Sequence, residues 1–317
     1  MQSRRRFLIT GASGFVGSVL CRRLVEQKQN VHVILRKEAK TWRIDDLLSK
    51  IHIHKSDLTN PTELNNIISK VKPDVIYHLA TYGGYSYQAD ADQIMQTNIM
   101  GTWNLLKACN RIPYRLFVNT GSSSEYGYKK FAMRETDVLE PASYYAVTKC
   151  TQSQLCSHIA RQENRPIVTL RLFSAYGPFE EPTRFVPTLL RSLLHQKKMN
   201  LVAPEIARDY IYIDDIVDAY LKISELIKFP GEKFNIGTGV QSTIKEVVEL
   251  AQRITKQTTM FEWGGMNNRK WDTNNWVGDV SKARSMLDWI PKTSLDRGIE
   301  LTAKWIGDNE KRYRNYA

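Results

Sequence analysis

The chain lacks the features of a membrane or exported protein. None of its apolar runs approaches the roughly 20 residues needed to cross a bilayer. The basic stretch from Met1 to Arg6 leads directly into Phe7-Leu8-Ile9 and then glycines. It has neither the longer apolar region nor the small-residue cleavage site of an export signal. These absences predict a cytoplasmic protein that binds no membrane.

Cysteine is scarce. The four cysteines, Cys21, Cys109, Cys150 and Cys156, form no Cys-x-x-Cys pair and stand beside no histidine cluster. Among the six histidines, His52 and His54 alternate on a strand pattern, which is more typical of a solvated strand face than of a ligand pair. We therefore expect reduced thiols and no metal site.

Acidic residues are outnumbered, 33 against 45 Lys and Arg, which gives a formal net charge of +12. A positive balance of this size favours an anionic partner: nucleic acid, a membrane surface or a phosphorylated small molecule. The basic residues are spread along the chain and form no long basic tail, so their distribution does not choose among these partners.

Strand-like and helix-like segments alternate through the first half of the chain. This alternation predicts an α/β fold, a Rossmann-type doubly wound parallel sheet with helices on both faces. Several of the strands are almost entirely apolar, as expected when both faces of a sheet are buried. Strands are predicted near 7–10, 31–35, 51–54, 75–79, 116–119 and 168–172, and helices near 16–27, 63–70, 93–109 and 144–162.

The alternation no longer repeats cleanly after residue 176. Helical stretches near 186–196, 216–227, 244–256 and 295–309 are separated by short strands such as 210–213 and 234–236. We predict a dinucleotide-binding domain at residues 1–176 and a smaller mixed α/β substrate lobe at residues 177–317, with the chain crossing back between the two.

The segment TGASGFVG places three glycines between the first predicted strand and the first predicted helix. Glycine there permits a tight turn, lets backbone N–H groups approach a pyrophosphate and packs the helix closely on the strand. A strand before and a helix after this motif favour a dinucleotide site over a turn without a ligand. The predicted cofactor contacts in this segment are Gly11, Ser13, Gly14, Phe15, Val16 and Gly17.

The residue at the end of the second strand predicts which dinucleotide binds. An acidic side chain there would bind the ribose hydroxyls of NAD, whereas Arg36, followed by Lys37, would neutralise a 2′-phosphate. Arg36 therefore favours NADP(H) as the cofactor, and NAD(H) is the alternative.

The segment SYYAVTK carries the candidate for proton transfer. In a helix Tyr145 and Lys149 lie on one face, while Tyr144 points about 100° away. A phenol with a pKa near 10 is a poor base at neutral pH, and an adjacent ammonium stabilises its phenolate. A third polar group comes from FVNTGSSSEYG, which ends a buried strand at the sheet edge where ligands of such folds bind. Its serines are Ser122, Ser123 and Ser124.

With its other motifs, the chain resembles the extended short-chain dehydrogenase/reductase family, specifically the nucleotide-sugar branch. The resemblance covers nearly the whole chain, and the order and spacing of the motifs carry it. The motifs are TGASGFVG, Asp57-Leu58, HLA at 78–80, NIMGT at 98–102, SSSEYG, Tyr145 with Lys149, RLFSAYGP, RDYIYIDD, FNIGTG and GDVSKARSMLDW.

The resemblance implies a role for individual residues. Ser122 would assist catalysis, Tyr145 would be the acid/base, and Lys149 would lower the pKa of Tyr145 and hold the nicotinamide ribose. The implied cofactor contacts are Asp57 and Leu58 on the adenine side, the backbone of Leu79 and Ala80, and Asn98. The implied substrate contacts are Ser123, Ser124, Ser174 and two diphosphate-binding arginines, Arg208 and Arg269. The family also implies a homodimer formed through segments 93–109 and 144–162.

Family members divide chiefly into 4-epimerases, 4,6-dehydratases and 4-ketoreductases of nucleotide sugars. A dehydratase would need carboxyl side chains just after the catalytic serine, where this chain has Ser123 and Ser124. Glu125 lies one place too close to Tyr126. Dehydration is therefore disfavoured, although a shifted loop would restore it.

The choice between reductase and epimerase depends chiefly on Arg36. An epimerase recycles a tightly held cofactor, usually NAD, whereas a reductase more often consumes NADPH. Arg36 favours NADPH-dependent reduction of the C4 keto group of a nucleotide-diphosphate 4-keto-6-deoxy (or 3,6-dideoxy) sugar, as in the CDP-abequose and CDP-paratose synthase type. Ser174, where many epimerases and dehydratases carry asparagine, points the same way with less force.

Three alternatives remain open at this stage. The first is a 4-epimerase with tightly bound NAD. The second is a nucleic-acid-binding protein on the same fold, motivated by the charge of +12. The third is a non-catalytic NADP sensor. The combination of Ser122, Tyr145 and Lys149 argues against a nucleic-acid-binding protein, and the implied diphosphate-binding arginines Arg208 and Arg269 argue against a sensor with less force. We therefore expect a nucleotide-sugar substrate and no nucleic acid.

Overall fold

The computed structural model describes residues 5–266 and 273–314. Its centre is a seven-stranded parallel sheet, with the strands in the order β3-β2-β1-β4-β5-β6-β11. The strands of this sheet are β1 (Arg6–Thr10), β2 (Asn30–Leu35), β3 (His52–Lys55), β4 (Val75–His78), β5 (Leu116–Ser122), β6 (Ile167–Leu172) and β11 (Lys233–Ile236). The strand order runs outward from β1 in both directions, so the predicted doubly wound Rossmann-type fold is confirmed.

Helices cover both faces of this sheet and build the second part of the molecule. They are α1 (Phe15–Glu26), α2 (Pro61–Val71), α3 (Ala91–Met95), α4 (Gly101–Cys109), α5 (Tyr144–Gln162), α6 (Phe185–Leu194), α7 (Ile213–Tyr220), α8 (Ile223–Leu226), α9 (Ile244–Thr255), α10 (Ser281–Leu287) and α11 (Leu295–Arg314). A π-helical turn, Gln96–Met100, joins α3 to α4, so the helix predicted at 93–109 is one continuous segment with a local irregularity.

Two apolar cores lie on opposite faces of the sheet because side chains alternate along each strand. Leu8 and Ile76 belong to the core that packs under α2, α4 and α5. Ile9 and Tyr77, their neighbours in sequence, belong to the larger core shared with α1, α7 and α11. All four side chains are fully buried, which explains why these strands are apolar on both faces.

The chain returns to the main sheet after residue 176. Strand β11 pairs in parallel with β6, and α7 packs on α1, where Arg23 binds Asp214 at 2.9 Å and Asp218 at 3.1 Å. The division at residue 176 stays a prediction.

Short strands form three separate pairs beyond the edge of the main sheet. They are β7 (Ser174–Tyr176) with β10 (Tyr210–Tyr212), β9 (Ala207–Arg208) with β12 (Ser242–Thr243), and β8 (Met199–Leu201) with β13 (Phe261–Trp263). Together with α6 and α9 they form a wall opposite the carboxyl ends of the sheet strands, and this arrangement creates the cleft that holds the site.

Within the described ranges, no helix is both long and apolar enough to span a bilayer. Across the same residues, no three His, Cys, Asp or Glu side chains are grouped so that they could hold a metal ion.

Candidate active site

A cavity of about 1650 Å³ lies at the carboxyl ends of the central strands. It is lined by Thr10, Leu79 and Ser122, which lie at or just beyond the ends of β1, β4 and β5, and by residues of the opposite wall. Ligands of open α/β sheets bind at this edge, where the strand order reverses. The volume exceeds that of a typical single-ligand pocket, so a dinucleotide and a second molecule have room.

The glycine loop is shaped to hold a dinucleotide. Gly11 has φ of +76°, and a Cβ there would lie 2.5 Å from the backbone nitrogen of Ala80. A Cβ on Gly17 would lie 2.2 Å from the carbonyl oxygen of Gly11. Helix α1 begins after Gly14 without any side-chain cap, so its first N–H groups face the cavity as an anion site. These residues fit a pyrophosphate, and Ser13, Phe15 and Val16 also line the cavity as predicted.

The end of the cavity next to β2 contains Arg36, predicted to discriminate between the two dinucleotides, and a second charged residue, Glu38. Arg36 is exposed and lines the cavity directly after β2. Glu38, two residues beyond Arg36, also lines the cavity and was not predicted from the sequence. Asp57 and Leu58 are also in the wall, and Asp57 accepts hydrogen bonds from the backbone and hydroxyl of Thr59 at 2.8 and 2.7 Å.

Leu79 and Ala80 line the cavity, whereas Asn98 does not. Asn98 is fully buried in the π-helical turn. Its Oδ1 accepts from the backbone N–H of Tyr82 at 2.8 Å, and its Nδ2 donates to the carbonyl of Tyr82 at 2.8 Å and to Thr148 at 2.9 Å. Asn98 therefore links the loop at Tyr82 to α5, and its contact with a cofactor stays a prediction.

The predicted acid/base pair lies at the start of α5. Ser143 caps this helix by accepting from the N–H of Ala146 at 3.1 Å, which fixes its first turn. Lys149 is buried and donates to the carbonyl of Thr120 at 3.0 Å, with its Nζ 5.8 Å from the ring centroid of Tyr145. Tyr144 is 60% exposed at the rim, as expected from its different helix face.

Burial shifts both pKa values towards the neutral forms. Burial raises the pKa of Tyr145 to about 12, and the hydrogen bond with Ser122 and the charge of Arg184 oppose that rise. Burial lowers the pKa of Lys149 to about 8, against the charge of Glu125. Both groups line the cavity, and a lysine tuned close to neutral pH beside a phenol is suited to proton exchange with a ligand. The effect of Lys149 on the pKa of Tyr145 stays a prediction.

All three serines of the turn line the cavity, and they differ in the partners of their hydroxyl groups. Ser122 ends β5, and its Oγ accepts from the hydroxyl of Ser124 at 2.8 Å. Ser123 is buried, and its Oγ accepts from the indole N–H of Trp276 at 3.0 Å. Glu125 is fully buried against Arg171, so no carboxylate of this turn reaches the cavity.

The opposite wall contains the predicted substrate contacts that lie within the described residues. Ser174 and Arg208 line the cavity. The guanidinium of Arg208 lies 5.2 Å from the ring centroid of Trp276 and donates to the carbonyl of Ala207 at 2.7 Å. The prediction for Arg269 falls outside the described residues.

Several ionisable residues that line the cavity were missed from the sequence, among them Arg184 and Glu180. Arg184 lies over the ring of Tyr85 at 5.8 Å, and its charge acts on Tyr145. Glu180 is 5% exposed, and its burial raises its pKa to about 8. Both follow the YGP of RLFSAYGP directly, in FEEPTR, and charged residues just past the end of a site strand were the available signal.

A Rossmann-type sheet whose dinucleotide cradle opens onto a tyrosine, a lysine and a serine defines an enzyme of the short-chain dehydrogenase/reductase class. The model of the NAD dependent epimerase/dehydratase family matches residues 7–237. The chain belongs to this family, in the nucleotide-sugar branch of the extended short-chain dehydrogenases/reductases that the motifs indicate.

Relatives cover almost the whole chain. YtcB of Bacillus subtilis (strain 168), an uncharacterised UDP-glucose epimerase, is 31% identical over 93% of this chain and 95% of its own. The UDP-glucose 4-epimerase of Thermotoga maritima, solved with UDP-glucose, has a TM-score of 0.88 at 26% identity, covering 96% and 99%. The UDP-glucuronic acid 4-epimerase of Bacillus cereus, solved with UDP-glucuronic acid and NAD, has a TM-score of 0.85 at 29% identity, with the same coverage.

Proposed function

We propose that the protein is a nucleotide-diphosphate-sugar 4-epimerase that keeps its nicotinamide cofactor bound. The observation that carries this proposal is the proton-transfer centre of Tyr145, Lys149 and Ser122 beside the cofactor cradle, to which the serine turn brings hydroxyl groups and no carboxylate. The relatives favour this reaction, which was the alternative from the sequence, over the 4-ketoreductase that Arg36 had favoured.

The residues of this chain suit the proton half of such a reaction. Tyr145 would take the proton from the O4 hydroxyl as C4 is oxidised to a ketone, with Ser122 hydrogen-bonded to the same oxygen. When bound, the nicotinamide ring supplies the other half by taking the C4 hydride and returning it. The keto sugar would then rotate in the cavity, so that the hydride returns to the opposite face of C4. Tyr145 would return the proton to O4, and the product has the opposite configuration at C4.

Dehydration receives no support from the serine turn. It would need an acid to protonate the departing C6 hydroxyl and a base at C5. Ser123 is held by Trp276, and Glu125 is held by Arg171 behind the cavity wall. The wall next to Ser122 therefore offers hydroxyl groups and no carboxylate.

Substrate binding is proposed from the charges of the opposite wall. Arg208 and Arg184 line the cavity from separate elements, and arginine suits the bidentate geometry of phosphate oxygens. The related epimerases were solved with UDP-sugars, so a UDP-hexose is the first substrate to test. We propose NAD(H) as the cofactor, because the related UDP-glucuronic acid 4-epimerase was solved with NAD and Glu38 offers a carboxylate to the ribose of NAD(H). The NADP(H) predicted from the sequence depends on Arg36.

A second candidate, a 4-ketoreductase that consumes NADPH, is favoured by Arg36 and, with less force, by Ser174. The two functions differ in stoichiometry, and one experiment separates them. The purified protein is denatured and its released cofactor is identified. The intact protein is then incubated with UDP-glucose, UDP-glucuronic acid and, with added NADPH or NADH, nucleotide-linked 4-keto-6-deoxyhexoses. C4 epimer formed without net cofactor change supports the epimerase, whereas stoichiometric loss of NADPH with a keto sugar would replace it with the reductase.

A further inference from the structure

Glu125 lies directly behind the catalytic serine although it does not line the cavity. It is fully buried in the 3₁₀ turn Ser123–Tyr126, which follows β5. Its Oε1 accepts from the backbone N–H of Ser122 at 2.9 Å and from the hydroxyl of Ser153 at 3.0 Å. Its Oε2 accepts from Nε of Arg171 at 2.9 Å. Burial raises the pKa of Glu125, and these three donors oppose that rise because they favour the ionised carboxylate.

This carboxylate joins the elements that carry the reaction. Ser122 is the last residue of β5, Ser153 lies on α5 one turn after Lys149, and Arg171 lies on β6. The thiol of Cys150, also on α5, donates to the backbone carbonyl of Glu125 at 3.5 Å. A residue bonded to both β5 and α5 fixes the distance between the serine and the Tyr-Lys helix.

The position of this side chain is closely restricted. A Cβ on Gly121 would lie 2.6 Å from Oε1 of Glu125, so the glycine makes room for the carboxylate. Arg171 is equally buried and also donates to the hydroxyl of Tyr126 at 2.9 Å. A buried charge pair with so little room to move holds its partners in one arrangement.

The charge of Glu125 also reaches the acid/base pair. It raises the pKa of Lys149 against the lowering effect of burial, and it raises the pKa of Tyr145. The titratable or charged groups that face it are Arg171 on β6, Tyr126 in its own turn, Tyr145, Lys149, Cys150 and Cys156 on α5, and Lys233 on β11. Lys149 is the cation of this group nearest the chemistry.

We infer that Glu125 is a positioning residue for this reaction: it holds the Ser122 backbone against α5, and through Ser153 it places a negative charge beside the helix that carries Lys149. The inference rests on the proposed function. A purely structural ion pair would stabilise the fold and leave the pH dependence of turnover unchanged, so the two roles differ in a measurable quantity.

Three variants separate geometry from charge. Glu125→Gln keeps an acceptor for Ser122 and removes the charge, so the alkaline limb of the kcat profile should move down by roughly half a pH unit or more. Glu125→Asp keeps the charge and shortens the reach to Ser122, so kcat should fall by about 10- to 100-fold with little change in KM or in that limb. Ser153→Ala removes one hydrogen bond without changing charge and should leave the limb in place.

The outcomes decide the inference. A Glu125→Gln enzyme with the wild-type pH profile, or a folded Glu125→Asp enzyme with wild-type kcat, would overturn the corresponding half. If Glu125→Gln does not fold, because Arg171 is left buried and unpaired, Glu125→Asp still tests the positioning. The amide proton resonance of Ser122 gives a readout that needs no turnover. It should move in Glu125→Asp and stay in Ser153→Ala, and an unchanged resonance in Glu125→Asp would contradict the positioning.

Wild-type activity distinguishes the two levels of inference. If the wild-type protein converts no nucleotide sugar by epimerisation or reduction, the proposed function fails, while the Ser122 resonance still tests the position of Glu125. If the wild-type protein is active and neither the pH profile nor kcat responds to Glu125, the function stands and Glu125 is structural only.

Discussion

Tyr145 carries a phenol that burial keeps protonated, with a pKa raised to about 12. At neutral pH such a group donates readily and accepts poorly, so its use as a base depends on the groups around it. Ser122 and Arg184 lower its pKa in the protein, and Lys149 lies behind its ring. In our proposal Arg184 also binds the substrate diphosphate, whose negative charge would oppose the lowering effect of Arg184 on the pKa of Tyr145.

Replacing Tyr145 with phenylalanine removes the proton donor and leaves the cofactor cradle intact. Turnover should fall by about 10²- to 10⁴-fold, the usual contribution of a general acid or base. Cofactor binding, followed by the fluorescence of the reduced nicotinamide, should stay within about twofold of wild type, well below the roughly tenfold that 1.4 kcal/mol would give. Wild-type turnover in Tyr145→Phe would remove this residue from the mechanism.

Arg36 should control affinity for the 2′-phosphate whichever cofactor the protein carries. Arg36→Ala should weaken NADP(H) binding by about 10- to 100-fold, the value of one charge-assisted hydrogen bond, and leave NAD(H) binding nearly unchanged. Lys37→Ala is the matched control, because Lys37 follows Arg36 in sequence and does not line the cavity. Titration calorimetry with both dinucleotides gives the comparison. Equal losses in the two variants would mean that general positive charge, and not Arg36, is recognised.

At the scale of elements, the segment between β7 and α6 carries an unusual acid. Glu180 is 5% exposed, and burial raises its pKa to about 8, against the nearby charges of Arg184 and Arg43. A neighbouring carboxylate, Glu181, pairs with Arg43 at 2.8 Å, and Arg43 also donates to the carbonyl of Phe179 at 2.7 Å. This segment therefore places one acid in an ion pair and keeps the other protonated.

A raised pKa makes Glu180 a source of pH-dependent stability. Between about pH 4.5 and 8, Glu180 holds a proton in the folded protein that it has lost in the unfolded chain. The contribution of this proton to the free energy of unfolding is therefore complete below pH 4.5 and is lost as the pH rises through 8. From pH 6 to pH 8 the free energy of unfolding of wild type should therefore fall by about 2 kcal/mol relative to that of Glu180→Gln, because glutamine does not titrate. Urea unfolding of both proteins across this range measures the difference, and a constant difference would contradict the buried neutral acid.

Elements long enough to show a period were predictable from the sequence. The helix predicted at 144–162 coincides with α5, and the strand predicted at 168–172 matches β6 within one residue. The strands β8, β9 and β12, with two or three residues each, were missed because they contain no repeat. Helix α10 was also missed, since seven residues give only two turns of pattern.

At the scale of the whole molecule, the only candidate site residues that could be predicted are those that stand in recognisable sequence motifs. Ser122, Tyr145 and Lys149 stand in motifs whose spacing is read directly. Glu180 and Arg184 were missed because their neighbours in space, Arg43 and Tyr85, are about 100 residues or more away in sequence. The homodimer through α4 and α5 stays a prediction, since it concerns a partner chain and not this fold.

The net charge of +12 keeps nucleic-acid binding as the alternative to be tested for the whole molecule. In our proposal the anionic ligand is small and binds in the cavity between the sheet and the opposite wall, so it bridges parts of the chain far apart in sequence. UDP at 100 times its Kd should then stabilise the folded protein by about 2.7 kcal/mol. For a chain of this size, such a stabilisation raises the Tm by ~5 °C, and moderate salt should reduce this rise only slightly. Differential scanning fluorimetry with UDP, uridine plus phosphate, and poly(U) separates the possibilities. The opposite result would be a Tm that rises with poly(U), but not with UDP, and a rise that disappears in salt. It would indicate that the protein surface binds the phosphate backbone of a nucleic acid.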